Sequence, residues 1–204
     1  STTGLIQSTN GAARLITSST ASSTYAGMIQ NGTGTVGLTK AGSGTLTLTG
    51  SNSYTGSTAV DGGVLAMGSA NALAGGGAIT FGGGTLQYSA VNTADYSSRF
   101  ANSTAAISID TNGQTITYAS VIPSSNVAGL TKSGSGSLYL NAANQYTGTT
   151  TVVSGTLGGN GSVTGPVVVS GSSVIAPGPT ANSFGTFSLG GLAITAAEAL
   201  TLPG

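Results

Sequence analysis

Hydrophobic and polar residues alternate one by one over short stretches of this chain. The segment Thr45–Thr49 reads Thr-Leu-Thr-Leu-Thr, and glycines precede it at a turn. Successive side chains of a β-strand point to opposite faces, so Leu46 and Leu48 are predicted to enter a core while the threonines face outward. Threonine is β-branched and suits a strand. The polar run 52–56 follows as a corner before the next short strand.

The same short pattern recurs along most of the chain. Further strands are predicted at Ser57–Val60, from Val64, and at Ala78–Phe81, Thr85–Tyr88, Ile107–Ile109, Thr115–Tyr118, Val167–Val169, Ser173–Ile175, Phe187–Leu189 and Leu192–Ile194. Glycines or polar turns separate most of them, which predicts an all-β chain. A sandwich usually has longer strands, so ladders of short strands with small corner residues favour a parallel β-helix, or β-solenoid.

An internal repeat supports this architecture. Gly37–Leu65 and Gly129–Leu157 align without a gap at an offset of 92 residues, and 17 of the 29 aligned positions are identical. Repetition at this level indicates stacked structural units rather than chance. The shared positions include Leu38/Leu130, Lys40/Lys132, Gly42/Gly134, Gly44/Gly136, Leu46/Leu138, Leu48/Leu140, Asn52/Asn144, Tyr54/Tyr146, Gly56/Gly148, Val60/Val152 and Leu65/Leu157.

We predict a single β-solenoid domain over residues 1–204, with repeat units near 37–65 and 129–157. Coils of roughly 20 to 25 residues would give about eight to ten of them. The segment 90–104 breaks the strand rhythm and is interpreted as an excursion from the solenoid. A helical turn is predicted within it at 92–100, where Asp95 and Arg99 have i,i+4 spacing.

Composition agrees with stacked coils. Only 4% of the residues are charged, against about 25% in an ordinary globular domain, and 35 of the 204 residues are glycine. Hydrophobic residues make up 38% of the chain, so there is apolar material to bury. In a solenoid each Thr, Ser or Asn lies over a like residue one coil away. Uncharged hydroxyls and amides tolerate that stacking, whereas like charges in register repel.

The two repeat units, GLTKAGSGTLTLTGSNSYTGSTAVDGGVL and GLTKSGSGSLYLNAANQYTGTTTVVSGTL, resemble the autotransporter-associated β-strand repeat, also called the passenger-associated transport repeat. The resemblance extends over about Leu38 to Ile194 through FGGGTLQYSA, DYSSRF, ISIDTNGQTITYA and GTLGGNGSVTGPVVVSGSSVIAPG. It implies a right-handed parallel β-helix that is secreted or displayed on the bacterial cell surface. It implies little about activity, because passengers of this class range from adhesins to enzymes. The 204 residues given include no segment interpreted as the translocator β-barrel of an autotransporter, and the family also includes large secreted proteins without that barrel, so the export route stays open.

The start of the chain, Ser1–Gly4, has no basic region followed by an apolar run, so it is not interpreted as a signal peptide. We expect either that the signal has been removed or that the sequence is part of a longer protein. No apolar stretch approaches the roughly 20 residues of a membrane helix, so no membrane insertion is expected.

The few charges bear on partners. The basic residues Arg14, Lys40, Arg99 and Lys132 are dispersed and the formal net charge is zero. Phosphate contacts need a basic patch, so nucleic acid is not expected as a partner.

Few residues suit catalysis. The chain has no His and no Cys, so a triad has no imidazole base. A Ser–Lys dyad with Lys40 or Lys132 is conceivable, but both lysines recur beside a glycine turn, which favours a structural role. β-Helix polysaccharide lyases and hydrolases need clustered acids. The acids here are Asp61, Asp95, Asp110 and Glu198, and only Asp95 and Asp110, with Arg99, fall within one stretch.

No metal or other cofactor is expected. The glycine runs lack the Asp of calcium-binding roll repeats, and no Gly-Lys-Ser/Thr follows them as in a phosphate loop. Seven tyrosines include Tyr54 and Tyr146 at equivalent corners. Exposed tyrosines stack on sugar rings, which makes a surface glycan a candidate partner, but packing inside the corner is the favoured interpretation.

The sequence therefore predicts a non-enzymatic, structural β-solenoid: a stalk, adhesin or fibre segment. Its ends carry little charge, which predicts either end-to-end stacking into a homo-oligomer or fibre, or a longer passenger whose further coils cover the ends. The alternative is a carbohydrate-binding or carbohydrate-active β-helix, which a groove with clustered acids would favour. A smooth surface with scattered acids would favour the structural role.

Overall fold

The computed structural model of the chain describes residues 4–181 and 183–194. That part of the chain contains no α-helix, and its backbone winds as a parallel β-solenoid of about nine turns. The predicted all-β solenoid is confirmed, while the right-handedness of its coils stays a prediction. Over the described residues, no helix is long and apolar enough to cross a membrane. By its internal contacts the chain divides into two compact units, residues 1–93 and 94–204.

The first unit consists of short strands on three sides of each early coil. Its sheets have the strand orders β1-β4, β2-β5-β7-β9 and β3-β6-β8-β10, and all these pairs are parallel. The strands are β1 Leu5–Ser8, β2 Ala13–Thr17, β3 Ser23–Tyr25, β4 Met28–Asn31, β5 Val36–Lys40, β6 Thr45–Leu48, β7 Thr58–Val60, β8 Val64–Met67, β9 Ile79–Phe81 and β10 Thr85–Gln87.

Apolar columns fill the interior of the first unit. Leu46 is in register with Leu65, which is in register with Leu86 one coil further on. Leu46 is 6% exposed and Leu48 is fully buried, as their alternation with threonine predicts. Burial of such columns is the main favourable term in the stability of the coils.

The second unit is built in the same way. Its sheets have the orders β11-β13-β16-β18 and β12-β14-β17-β19, and β18 also pairs with β15 and β20. The strands are β11 Ile107–Asp110, β12 Thr115–Tyr118, β13 Leu130–Ser133, β14 Ser137–Leu140, β15 Ala143–Asn144, β16 Thr150–Val152, β17 Thr156–Gly159, β18 Ser162–Val169, β19 Val174–Pro177 and β20 Ser188–Ile194.

Some strands differ from the prediction. β1 to β4 were not predicted, because their residues do not alternate cleanly: the terminal strand β1 is largely exposed. β18 begins five residues before the predicted Val167 and contains Pro166, at which its register with β20 shifts. Proline donates no ladder hydrogen bond, which agrees with the irregular pairing next to it. The two strands predicted at 187–189 and 192–194 form the single strand β20.

The segment 90–104 contains no strand, and its helical turn is the short 3₁₀ turn Ser97–Arg99. The Asp95 carboxylate accepts hydrogen bonds from Ser97 and from the backbone N–H of Ala119, one coil away. The i,i+4 pairing of Asp95 with Arg99 stays a prediction.

Candidate functional site

The acids that the sequence singled out serve turns in the described structure. Asp95 Oδ1 accepts hydrogen bonds from the N–H (2.8 Å) and hydroxyl (2.6 Å) of Ser97, and Oδ2 accepts one from Ala119 N–H (2.8 Å). Asp110 Oδ1 accepts one from Asn112 N–H at 2.8 Å, across the turn after β11. Asp61 is an exposed corner residue, and Glu198 lies outside the described residues. Nowhere in 4–181 or 183–194 do three potential metal-ligating side chains gather.

The two repeat lysines point into the solenoid. Lys132 follows the register Ile109, Lys132, Val152 and Val169, an otherwise apolar inner column. Lys40 is in register with Val60 in the first unit. Their exposed fractions are 2% for Lys40 and 0% for Lys132, so both aliphatic stems belong to the core.

Each lysine ammonium donates hydrogen bonds to backbone carbonyls at a corner of the solenoid. Lys132 Nζ donates to the carbonyl oxygens of Ser133 (2.9 Å) and Gly134 (2.7 Å) in its own coil and of Ser154 (2.9 Å) in the next coil. Lys40 Nζ makes the equivalent bonds to Ala41, Gly42 and Gly62, at 2.7, 2.9 and 2.9 Å. An ammonium has three N–H donors, and backbone carbonyls take all of them. The arrangement supports the structural role of these lysines over a Ser–Lys dyad.

Burial lowers the pKa of Lys132 to about 8, although the nearby Asp110 carboxylate opposes the shift. Lysine in an unfolded chain has a pKa of about 10.4, so between these values the unfolded chain binds more protons than the folded one. Stability must then rise with pH over this window.

We expect the free energy of unfolding of the unmodified chain to rise by about 1–2 kcal/mol, relative to Lys132→Met, between pH 7.5 and 9.5. Denaturant melts of both proteins at the two pH values measure it. Methionine keeps an aliphatic side chain in the column but does not titrate. The difference in unfolding free energy between the two proteins therefore removes the contribution of the other titrating groups. A difference that stays constant or shrinks with pH would contradict the assignment.

The corner tyrosines are interior residues. Tyr54 and Tyr146 are both fully buried, and their hydroxyls lie 2.8 Å from the hydroxyls of Thr58 and Thr150, respectively. Burial raises the pKa of Tyr146 well above its ordinary value. These two rings cannot stack on a sugar without unfolding a corner, which supports corner packing over glycan binding at these positions.

Buried asparagines tie successive coils together. Asn52 Oδ1 accepts a hydrogen bond from Ile29 N–H in the preceding coil (2.9 Å), and its Nδ2 donates to Ala72 O in the following coil (2.9 Å). The equivalent Asn144 joins Ile122 N–H at 3.0 Å to Ser162 O at 3.1 Å. Repetition marked these positions in the sequence, but the contacts between coils could not be deduced from it.

Asn52→Ala should lower the free energy of unfolding by about 2–3 kcal/mol, because it leaves a buried N–H and a buried C=O without their partners. Asn71→Ala is the matched control, since Asn71 is exposed and its side chain, among the described residues, donates to the Ser51 hydroxyl. That variant should remain within about 0.5 kcal/mol of the parent. Equal losses in chemical denaturation would show that the Asn52 amide has no special role.

The sequence did not single out a groove around Arg14 on the first unit. The groove has a volume of about 260 Å³ and is lined by Ala12, Ala13, Arg14, Thr35, Gly37, Gly56 and Ser57. The exposed guanidinium reaches across two further coils, since Nη1 donates to Thr39 Oγ1 (2.9 Å) and Nη2 to Ser57 Oγ (3.3 Å). The sequence offered one hint: Arg14 is one of only two basic residues among the first 93.

Comparisons with known proteins agree with the fold. The family model described as "Passenger-associated-transport-repeat" matches residues 38–67 and 130–158, the two repeat units. The chain is also 34% identical, over 158 residues and 64% of its length, to the adhesin BmaC autotransporter of Brucella suis biovar 1 (strain 1330). It spans only about 5% of the length of that relative. No solved structure matches the chain significantly.

Proposed function

We propose that this chain, which carries two passenger-associated transport repeats, is a non-enzymatic structural segment of a bacterial surface passenger with an adhesin-like role. The localisation predicted from the sequence, secreted or on the bacterial cell surface, is confirmed by the repeat family and the adhesin relative. Because the chain spans a small part of that relative, the activity and partners of the whole protein belong to the proposal.

One observation carries the structural role. A catalytic site would need polar side chains. The repeated polar side chains of this chain instead hold the coils together. Lys132 binds three backbone carbonyls, Asn144 bridges two coils, and Tyr146 is sealed in a corner. A buried polar group held in this way fixes the register of neighbouring coils and is not available for substrate.

An adhesion assay tests the adhesin-like role. The purified chain, coupled to inert beads, should retain the beads on host-cell or matrix-coated surfaces above the level of beads that carry the same chain after denaturation. The denatured control has the same composition and coupling chemistry, so the difference reports the folded surface. Retention equal to that control on every surface would contradict the adhesin-like role.

The absence of activity is tested separately, on a polysaccharide panel. We expect no release of reducing ends and no formation of unsaturated products. The alternative, a carbohydrate-active β-helix, would gain support from turnover that disappears in Asp95→Asn or Asp110→Asn. That result would overturn the non-enzymatic proposal, because those two acids are the ones that lie within one stretch of the chain.

We also propose that copies of this chain associate with one another. In the described part of the first unit, β1, β2 and β3 each have a partner strand on one side only. A pocket of about 300 Å³ opens between these strands and the next coil. It is lined by Ile6, Leu15, Thr17, Ser23, Thr24, Tyr25, Ile29, Leu46 and Leu48. Unpaired N–H and C=O groups beside an apolar pocket are a template for another coil. We propose that a second copy supplies that coil.

Sedimentation velocity over a range of concentrations tests the association. The mass should increase with concentration for the parent and stay monomeric for Ile6→Lys, which puts a charge into the pocket. Ile16→Lys is the matched control, because Ile16 is 62% exposed on the neighbouring strand β2 and does not line the pocket. Electron microscopy of material from the source cells then looks for filaments made of this chain alone. Monomers at every concentration, or a single longer polypeptide in the cells, would overturn self-association.

A further inference from the structure

We infer that the groove around Arg14 is a binding site for a carboxylate-bearing sugar, such as a uronic acid residue of a surface polysaccharide. The inference deepens the proposed adhesin-like role and rests on it for its biological meaning. The binding chemistry itself stands on the geometry of the groove.

The guanidinium is held in place before any ligand arrives. Its bonds to Thr39 Oγ1 and Ser57 Oγ come from two successive coils. The strand register explains this reach, because Arg14 is level with Gly37 on β5, and Ser57 follows one coil later. A side chain fixed by the scaffold loses little freedom when it binds, so binding costs less than it does for a free surface arginine.

Donors remain for a ligand. A guanidinium has five N–H groups, and two of those on Arg14 are engaged within the described residues. Three are left, and a carboxylate accepts two parallel N–H bonds from such a fork. Lysine offers no planar fork, so the geometry favours a carboxylate over a merely negative surface.

Backbone forms the floor of the groove. Gly37 and Gly56 have no side chains because the coils pass very close to each other there: a Cβ on Gly56 would lie 2.4 Å from Val36 O. The floor is therefore flat and carries no side chain, and the Gly56 N–H is already bonded to Val36 O (2.9 Å), so the polar contacts to a ring come from the Arg14 side chain. The volume of about 260 Å³ is below the 300–1,000 Å³ typical of drug-sized ligands and suits a single sugar ring.

The local charge is favourable. The other charged side chains of the first unit are Lys40 and Asp61. The Lys40 ammonium is bound to carbonyls inside a corner. Asp61 lies beyond the far end of β7 from Ser57 and does not line the groove. Among the described lining residues, an anion in the groove thus meets one positive charge, that of Arg14, and no carboxylate.

A ¹H–¹⁵N NMR titration of the intact chain tests the site. Methyl β-D-glucuronide is the probe, the uncharged methyl β-D-glucoside is its neutral match, and sodium acetate supplies a carboxylate without a ring. We expect saturable shifts of the Gly37 and Gly56 amides with the glucuronide. The glucoside and acetate should bind at least about tenfold more weakly, since each lacks one half of the recognised group.

Two variants and one control complete the test. Arg14→Gln should weaken glucuronide binding at least tenfold. Thr35→Glu should do the same by placing a carboxylate at the rim while leaving the anchors of Arg14 in place. Asp61→Asn, which removes the other exposed charge of the unit, should leave binding unchanged. Dispersed amide spectra establish that each variant is folded.

Every outcome decides the inference. Glucuronide binding that survives both groove variants, or that the glucoside or acetate equals, overturns the sugar-carboxylate site. No binding by the parent also overturns it. Bead adhesion is read independently: adhesion that persists in Arg14→Gln leaves the adhesin-like role standing without this site. If the unmodified chain binds the glucuronide but its beads do not adhere, the adhesin-like role is contradicted and the binding site is not.

Discussion

Replacing Leu138 by alanine should lower the free energy of unfolding by about 2–5 kcal/mol. Leu138 stands in the inner column that runs in register from Ile116 through Leu138 and Leu157 to Ile175. The side chain is fully buried, with a coil above it and a coil below it. Coils pinned by parallel ladders cannot close around the missing atoms, so the cost includes a cavity as well as lost burial.

Denaturant melts followed by circular dichroism measure this loss. Thr115→Ala is the matched control, because Thr115 lies on the adjacent strand β12, is exposed, and pairs with Ser137 at the position next to Leu138. The control should remain within about 0.5 kcal/mol of the parent. A leucine variant as stable as the threonine variant would mean that the inward and outward faces of this strand are assigned the wrong way round.

Gly155→Ala should be comparably severe, at about 2–5 kcal/mol. Gly155 has φ +76°, and a Cβ there would lie 2.3 Å from Gly136 O and 2.5 Å from Gly134 O of the preceding coil. The left-handed backbone alone costs an L-residue about 1–2 kcal/mol, and forcing backbone apart in a packed structure costs about 1–3 more. Gly63, the equivalent position of the first repeat, also has a positive φ, +58°, and meets Gly44 O at 2.3 Å.

Gly171→Ala separates the cost of the left-handed backbone from the cost of the close contact between coils. Gly171 also has a positive φ, +61°, but a Cβ there would meet nothing within 4 Å. Its alanine variant should lose only the conformational part, about 1–2 kcal/mol. Thermal and denaturant melts of the two variants, measured side by side, give the difference that coil stacking contributes. If both variants lose the same amount, close stacking of the corners is not what requires glycine at position 155.

The class of fold was determined by the sequence, and the reason is local. Alternation in Thr45–Thr49 requires a strand with one buried face, and the repeat at an offset of 92 residues requires that strand environment to recur. Leu46 and Leu138, assigned inward on this basis alone, are 6% and 0% exposed. Strand β1 was missed because most of its residues are not buried, and a strand of that kind needs no clean alternation.

Repetition also identified the residues that matter at the corners, but not what they do. Lys40, Asn52 and Tyr54 recur as Lys132, Asn144 and Tyr146, and a recurrent lysine beside a glycine turn was correctly interpreted as structural. The lysines and asparagines each reach a backbone group one coil away, 18 to 23 residues along the chain, whereas the tyrosine hydroxyls lie beside threonine hydroxyls four residues further on. A hydrogen bond from a side chain to a main-chain oxygen leaves no pattern in the sequence, because every residue carries a main-chain oxygen.

Tertiary structure alone decided which charges are exposed and how they are oriented. Arg14 and Lys40 look alike in the sequence as isolated basic residues in polar surroundings. Stacking turns Lys40 into the core, where carbonyls hold its ammonium, and lays Arg14 across the outside of two further coils. Neither outcome could be predicted from the sequence, because both depend on the register between coils. A shift of one residue would exchange the inward and outward faces of a strand.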